Sequence, residues 1–125
     1  MRELLGLEDA ISVNMVEHAP HEKNLGWEFV YDENNTDPVL NIQFLSEAYY
    51  KADDDYTGRT TVPALIDVQT GKVVNNDYNR LTNYFEVNFR EFHGENAPDL
   101  YPEELREEID KLNIWLFHNV NNGVY

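Results

Sequence analysis

The sequence contains no cysteine among its 125 residues. This absence excludes disulfide bonds, thiolate metal ligands and a cysteine nucleophile within the chain as given. The length suits one modest domain with a single hydrophobic core. An apolar content of 42% and an aromatic content of 13% argue against disorder, because such a chain can bury enough surface to offset its ordering entropy.

Basic residues are also scarce. Nine Lys and Arg stand against 24 Asp and Glu, which gives a net charge of −15. Nucleic acids and anionic membranes attract proteins that carry clustered Lys and Arg side chains, so a protein with this acidic charge is repelled by both. Arg80 and Arg90 are well separated and Arg106 lies among glutamates, so no local basic patch is predicted. The sequence therefore predicts neither a nucleic-acid nor a membrane partner.

Long apolar runs are missing as well. No run of apolar residues is long enough to span a bilayer. The first residues are followed by charge rather than by the apolar core and cleavage site of a signal peptide. We therefore expect a cytoplasmic location.

The first half of the chain has weak local patterns. A short helical end closed by Gly6 opens the sequence. Residues 11–16 alternate apolar and polar, which predicts a half-buried strand. Asp37 and Pro38 suit the cap and first turn of a helix. Apolar residues then recur at helical spacing, so a helix is predicted over 38–51.

The clearest local pattern is a β-hairpin. A strand at 61–67 is followed by a tight turn at 69–72 and a returning strand at 72–75. Residues 75–77 are predicted to cap the helix that follows. After the loop at 93–98, a second long helix begins at Pro102 and is apolar over more than one side, as in helices that lie between neighbours.

Pro63 interrupts the first strand of this hairpin. A proline removes a hydrogen bond from the ladder, so it suits an edge strand or a functional kink. The plain alternative is an edge strand with an ordinary trans-proline. We favour a cis-proline that presents the backbone of Val62 to an extended peptide ligand, as in thioredoxin-like folds.

Two other positions are candidates for ligand binding. Asp77 and Tyr78 lie at the predicted helix start, where free backbone N–H groups can hold an anion. A plain helix cap is the preferred interpretation of that pattern alone. Trp27 follows a glycine in a loop and suits either packing or a ligand platform, and nothing local decides between them.

No metal site is predicted. Residues 53–58 resemble a calcium loop, but the position of its bidentate acid is occupied by Ala64. His18 and His21 have the spacing of ligands on a helix, but Pro20 lies between them and disfavours a helix there. Two solvated loop histidines are the expected outcome.

In this order, these pieces resemble the glutathionyl-hydroquinone reductases, the Xi-class, omega-like glutathione S-transferases. The Gly-Trp-x-Phe segment at 26–29 and the Asn-Asn-Gly-Val-Tyr segment at 121–125 are the most family-specific. The other matching segments are Gly6-Leu7-Glu8-Asp9, Ile11-Ser12-Val13, Tyr56-Thr57-Gly58-Arg59, Thr61-Val62-Pro63-Ala64-Leu65-Ile66-Asp67 and Ile109-Asp110-Lys111-Leu112-Asn113.

The resemblance implies an α/β fold. Residues 1–92 would be a partial thioredoxin-like glutathione-binding domain, 93–101 a linker and 102–125 the first helix of an all-helical C-terminal domain. The family's first strand and its reactive Cys-Pro-Trp-Ala motif would precede Met1. We therefore expect an incomplete, weakly stable or rearranged domain, and a homodimer.

The resemblance also implies a function and a binding site. The family reduces glutathionyl-hydroquinones with glutathione as cosubstrate, so this chain would be a catalytically inactive part of such a thiol transferase or reductase. By residue matching, Trp27 would contact glutathione and Val62, before Pro63, would pair with its cysteinyl backbone. Arg59 would add positive charge, and Asp77 would hold the γ-glutamyl amine.

Tyr78 is a departure from the family, since a small hydroxyl side chain is expected there. The change puts the affinity for glutathione in question. The partners implied for the whole protein are glutathione and quinone-type small molecules. Two alternatives stay open for these 125 residues: a non-enzymatic acidic α/β module that binds a thiol ligand or a protein, and a degenerate fragment without function.

Overall fold

The computed structural model describes residues 1–19 and 26–124. They form two compact units. One is Val13–Tyr78, and the other combines Met1–Ser12 with the chain from Asn79 onward. The predicted linker at 93–101 lies inside the second of these units, so the contact boundary and the predicted domain boundary divide the chain differently. The domain limits stay a prediction.

The described residues of the unit Val13–Tyr78 form four short strands, one α-helix and a 3-10 turn (Glu33–Asn35). Strand β1 (Glu17–His18) pairs antiparallel with β2 (Trp27–Glu28), and β3 (Leu65–Asp67) pairs antiparallel with β4 (Lys72–Asn75). In the described part of the chain these remain two separate two-stranded sheets. Helix α1 (Leu45–Ala52) packs against both β2 and β4 and so connects the two sheets.

The strand predicted at 11–16 is wrong, because regular pairing begins only at Glu17. Val13 and Met15 are 68% and 66% exposed, so the alternation does not produce a buried face. The side chain of Asn14 instead donates to carboxylate oxygens of Asp32 at 2.7 Å and Asp37 at 2.6 Å. These polar contacts hold the segment in an irregular conformation.

The helix predicted over 38–51 begins later, at Leu45. Asp37 does act as a cap, since its Oδ1 accepts the amides of Val39 at 2.9 Å and Leu40 at 2.6 Å. Asn41 then takes a positive φ of 54°, which ends the turn before a helix can propagate. Glu47 caps the true helix by accepting two amides just upstream of it, each at 2.9 Å.

The hairpin is confirmed, but its first strand is short. The returning strand matches the prediction, and Gly71 in the turn has a φ of 66°. The first strand starts at Leu65 rather than at residue 61. The amide and carbonyl of Thr61 bond to the hydroxyl of Tyr49, at 3.2 and 2.8 Å, instead of to a neighbouring strand.

The helix after the hairpin also starts later than predicted. Asn75 accepts the amide of Asp77 at 2.8 Å, so the predicted cap closes a turn rather than a helix. Helix α2 (Leu81–Asn88) follows Arg80 and belongs to the other unit. Both interpretations of Asp77 and Tyr78, the preferred helix cap and the alternative anion site, required a helix start at these residues, and α2 does not provide one.

The second unit is largely helical. Helix α3 (Arg106–Leu116) is preceded by a 3-10 turn (Glu103–Leu105) and continued by a π-helical turn (Phe117–Asn121). The helix predicted after Pro102 is thus confirmed. Its Trp115 is half-exposed, as expected for a helix that this chain has little to cover. No helix in residues 1–19 and 26–124 is long and apolar enough to cross a membrane.

Tyr101 and Asp110 form a polar contact on this unit that is expected to be measurable by titration. The Tyr101 hydroxyl donates to Asp110 at 2.7 Å, and this bond to a carboxylate raises the pKa of the phenol above its ordinary 10.0. Because the pKa in the folded protein is raised, the bond stabilises the fold below pH 10 and is lost as the phenol ionises at higher pH. We expect Asp110→Ala to lower the pKa of Tyr101, as followed by the pH dependence of its ring NMR signals.

Asp99→Ala provides the control, since Asp99 accepts the backbone amide of Tyr101 and not its hydroxyl. An unchanged phenol pKa in Asp110→Ala, or an equal change in both variants, would contradict the assignment.

Candidate functional site

An open depression with a volume of about 460 Å³ lies within the unit Val13–Tyr78. Among the residues that the structure describes, three parts of the chain line it. One consists of residues 18–19 and 26–27, around the paired ends of β1 and β2. The second is α1, which contributes Ser46 and Tyr50. The third is the extended segment 58–62 that leads into β3.

Aromatic side chains hold the segment that forms one wall of this depression. Tyr56 donates its hydroxyl to the carbonyl of Arg59 at 2.9 Å, and Trp27 donates its indole N–H to the carbonyl of Thr60 at 3.2 Å. Tyr49 donates to the carbonyl of Thr61 at 2.8 Å. Three consecutive carbonyls therefore each have an aromatic donor.

Val62 follows these carbonyls and is connected to Pro63 by a cis peptide bond, which confirms the prediction. Neither the amide nor the carbonyl of Val62 has a hydrogen-bond partner within residues 1–19 and 26–124. Its side chain is partly exposed and lines the depression. A backbone that offers both a donor and an acceptor at one residue can pair with an extended peptide.

Arg59 brings positive charge to the depression, which matters in a chain with a net charge of −15. In the part of the chain that the structure describes, its guanidinium has no carboxylate partner, and the ion pairs are Arg90 with Asp99 and Lys111 with Glu107. With respect to the described residues, the guanidinium is available to an anionic ligand.

Trp27 lies half-buried at the side of the depression, with the ring of His18 edge-on at a centroid distance of 5.3 Å. Its indole N–H is already used by the carbonyl of Thr60, so the ring face and edge are what it can offer to a ligand. The packing alternative for this residue is therefore confirmed, and its use as a ligand platform stays a prediction.

Asp77 and Tyr78 do not line the depression. They follow Asn76, whose side chain donates to the Thr61 hydroxyl at 3.3 Å. That bond places the turn after β4 beside the wall at Thr61 and Val62. Of the six predicted site residues, Trp27, Arg59 and Val62 thus line one depression, Pro63 is joined to Val62, and the last two lie on an adjoining turn.

Sequence reasoning missed Ser46, Tyr50 and His18 in the lining. Ser46 and Tyr50 are four residues apart on α1 and therefore share a face of the helix. This spacing could have indicated them, but only with the helix start placed at Leu45. Pro20 and His21 lie outside the described residues. Among the residues described, no group of three or more His, Asp or Glu side chains could hold a metal ion.

Comparisons with known proteins identify relatives in sequence and in fold. No protein-family model matches the sequence. The chain is 39% identical over 127 residues to the glutathionyl-hydroquinone reductase YqjG of Escherichia coli, in a match that covers all of this chain and 38% of that protein. A glutathione transferase from Gordonia bronchialis has a TM-score of 0.89 at 43% identity, over 99% of this chain and 38% of the other.

Two further solved structures share the fold. The Xi glutathione-S-transferase from Phanerochaete chrysosporium has a TM-score of 0.84 at 40% identity, over 99% of this chain and 43% of the other. The glutathione-bound structure of YqjG has a TM-score of 0.81 at 38% identity, over 99% of this chain and 40% of the other.

The fold is therefore that of part of a glutathione transferase, in which thioredoxin-like elements are followed by a helix. More specifically, the chain is a homologue of the glutathionyl-hydroquinone reductases, the Xi class of that group. It spans about two fifths of the length of the curated relatives it matches.

Proposed function

We propose that the depression binds glutathione, and that these residues are the glutathione-binding part of a thiol transferase or reductase that acts on glutathionyl-hydroquinones. The observation that carries the proposal is that, among the described residues, the Val62 backbone has no hydrogen-bond partner and the Arg59 guanidinium in the same depression has no carboxylate partner. The relative YqjG is named a glutathionyl-hydroquinone reductase and has been solved with glutathione bound.

The chemistry of glutathione fits these groups. It is an extended peptide with two carboxylates, so its backbone can exchange two hydrogen bonds with Val62 as a strand would. One carboxylate can pair with the Arg59 guanidinium. We propose Asp77 and Tyr78 as outer contacts, with Asp77 facing the ligand's ammonium group, and the Asn76–Thr61 bond beside the wall supports this.

The role proposed for these residues is binding rather than bond breaking. Thiol–disulfide exchange requires a thiolate that attacks a sulfur atom, and the 125 residues contain no cysteine. The same fact favours the second candidate, an acidic module that binds a thiol ligand without catalysis. Quinone-type substrates, a homodimer and a cytoplasmic location stay predictions of the sequence.

A glutathione titration followed by backbone amide signals tests the proposal on the chain itself. We expect signals of Val62, Trp27 and Arg59 to shift, with a dissociation constant on the order of 1 mM, which corresponds to about −4 kcal/mol. If these signals stay in place at about 10 mM glutathione, where a site of that affinity would be mostly occupied, glutathione is not the ligand.

Removing the positive charge at Arg59 is expected to weaken this binding. We expect Arg59→Gln to bind glutathione about two- to fivefold more weakly, the range for a solvent-exposed charge pair. Lys51→Gln is the matched control, because it changes the net charge equally and Lys51 is outside the depression. If both variants bind glutathione equally more weakly, the effect comes from the overall electrostatic field of the protein and not from Arg59 in the depression.

A further inference from the structure

Two buried or half-buried tyrosines lie behind the wall of the depression and do not line it. Tyr49 is buried in the interior of α1, and Tyr56 lies in the loop after that helix. Their rings are in contact, with centroids 5.1 Å apart and an interplanar angle of 38°. Each ring thus supports the other, and both hydroxyls are directed at the same stretch of backbone.

The two hydroxyls determine which backbone groups of the wall stay free. Tyr56 occupies the carbonyl of Arg59. The Tyr49 hydroxyl bonds twice to the backbone of Thr61, accepting its amide at 3.2 Å and donating to its carbonyl at 2.8 Å. In the described part of the chain, Val62 is then the residue of the stretch 59–62 that keeps both its amide and its carbonyl free.

This arrangement also fixes where Val62 lies. Thr61 is held to α1 on one side through Tyr49 and to the turn after β4 through Asn76. A segment without ladder partners would otherwise be free to move, because loop backbone is ordered only by the bonds it makes. Binding to a wall that is already ordered loses less conformational entropy.

We propose that Tyr49 and Tyr56 are positioning residues, which block the acceptors at Arg59 and Thr61 and thereby direct an extended peptide ligand to Val62 in a single register. The inference rests on the proposed function, since glutathione is the peptide that pairs with Val62. Neither tyrosine touches the ligand in this proposal, and each acts through the backbone it holds.

Tyrosine-to-phenylalanine variants test the proposal, because they remove the hydroxyl and keep the ring contact. We expect Tyr49→Phe to weaken glutathione binding about three- to tenfold, the range for one lost hydrogen bond that organises a site. The glutathione-induced shift of the Val62 amide is expected to shrink, while that of the Arg59 side chain persists. Hydrogen exchange at the Thr61 amide is expected to accelerate without ligand.

Tyr31→Phe is the matched control. It removes a hydroxyl that donates to Glu17 at 3.0 Å in the same unit but outside the depression. Its glutathione affinity and its Thr61 exchange are expected to match those of the parent chain. If Tyr49→Phe fails to fold, Tyr56→Phe tests the positioning role instead. Tyr56 is less buried, and removing its hydroxyl frees only the carbonyl of Arg59.

The outcomes separate this inference from the proposed function. A parent chain that does not bind glutathione overturns the proposed function, and the exchange rate of the Thr61 amide in Tyr49→Phe then decides the positioning role. A parent chain that binds, with variants that bind equally well and keep the Val62 shift, overturns the positioning role alone. Weaker binding at an unchanged unfolding midpoint supports it, since a purely structural role would lower stability and leave affinity intact.

Discussion

Replacing Phe29 by alanine is expected to destabilise the unit Val13–Tyr78 by about 3–5 kcal/mol, the usual range for removing a buried aromatic side chain. Phe29 is 4% exposed and forms a small core with Ile42 and Ala48. Partly buried side chains pack around that core: Val16, Leu40, Ile66 and Val73. These neighbours come from separate segments of the chain, so we expect no single element to refill the cavity.

The loss would be a large fraction of the stability of a domain of this size, which is typically about 5–15 kcal/mol in total. Urea unfolding followed by circular dichroism measures it. Phe92→Ala is the control, because the same side chain is removed where it is 52% exposed, and its effect is expected to be within about 1 kcal/mol. Equal midpoints for the two variants would show that Phe29 does not belong to a stabilising core.

The same substitution is expected to reach the candidate site. Phe29 directly follows β2, which carries Trp27, and its amide donates to the carbonyl of Gln43 at 3.1 Å, two residues before α1. If the Phe29–Gln43 bond is weakened, β2 is held less firmly, and β2 positions the Trp27 indole against the carbonyl of Thr60. The exchange rate of the Trp27 indole proton reports on that release independently of global unfolding.

The parts of the fold that sequence reasoning predicted correctly depend on short-range chemistry. The hairpin turn follows from Gly71 and from the side chain of Asp67, which accepts the amides of Gln69 at 2.7 Å and Thr70 at 3.2 Å. All of these groups lie within five residues of one another. Pro63 was predicted as cis from the hairpin and the capped helix expected to follow it, as in thioredoxin-like folds.

The wrong boundaries have a common physical cause. Asp37 looks the same in sequence whether it caps a helix or a single turn, and the outcome depends on the conformation of Asn41. The alternation at 11–16 is that of a strand, but a strand also needs a partner and a core to face. Neither requirement is written in the local pattern, so both predictions failed.

The candidate site was predictable only in part for the same reason. Residue patterns indicated Trp27 and Val62 as candidates and the resemblance added Arg59, and the structure brings all three to one depression. The bonds that hold the wall join residues 12 apart for Tyr49 with Thr61 and 33 apart for Trp27 with Thr60. The hydrophobic periodicity of the sequence cannot indicate these hydrogen bonds, because they arise from packing between segments that are distant in the sequence.

Replacing Gly6 by alanine is expected to destabilise the unit that combines Met1–Ser12 with the chain from Asn79 onward. The loss should exceed the cost of placing alanine in a left-handed backbone conformation. Gly6 has a φ of 67° and closes the N-terminal turn, in which the amide of Leu7 bonds to the carbonyl of Arg2 at 2.9 Å. A residue with a Cβ in this left-handed conformation costs about 1–2 kcal/mol. The added Cβ would also lie 3.0 Å from both the Cα and the N of Gly94, which are backbone atoms that cannot rotate away.

The turn at Gly6 and its contact with Gly94 support the packing of two leucines. Leu5 and Leu7 flank Gly6 and are fully buried, and the carbonyl of Leu5 accepts the amide of Gly94 at 2.8 Å. Pushing Gly94 away therefore breaks that bond and loosens the burial of both side chains. We expect a total loss of about 2–4 kcal/mol, in the upper part of the usual range for single substitutions, with faster exchange of the Gly94 amide.

Gly94→Ala is the decisive comparison, since it adds the same methyl group to the other partner of this close approach. Its Cβ would lie 3.5 Å from the Cα of Gly6 and 3.8 Å from the carbonyl oxygen of Leu5, which are ordinary contacts. We expect a change within about 0.5 kcal/mol. If Gly94→Ala proves as destabilising as Gly6→Ala, the demand for glycine comes from crowding between the two chain segments and not from the left-handed turn. If Gly6→Ala lowers the free energy of unfolding strongly and Gly94→Ala lowers it little, the requirement for glycine at position 6 comes from the left-handed turn and from the Gly6–Gly94 contact that this turn creates.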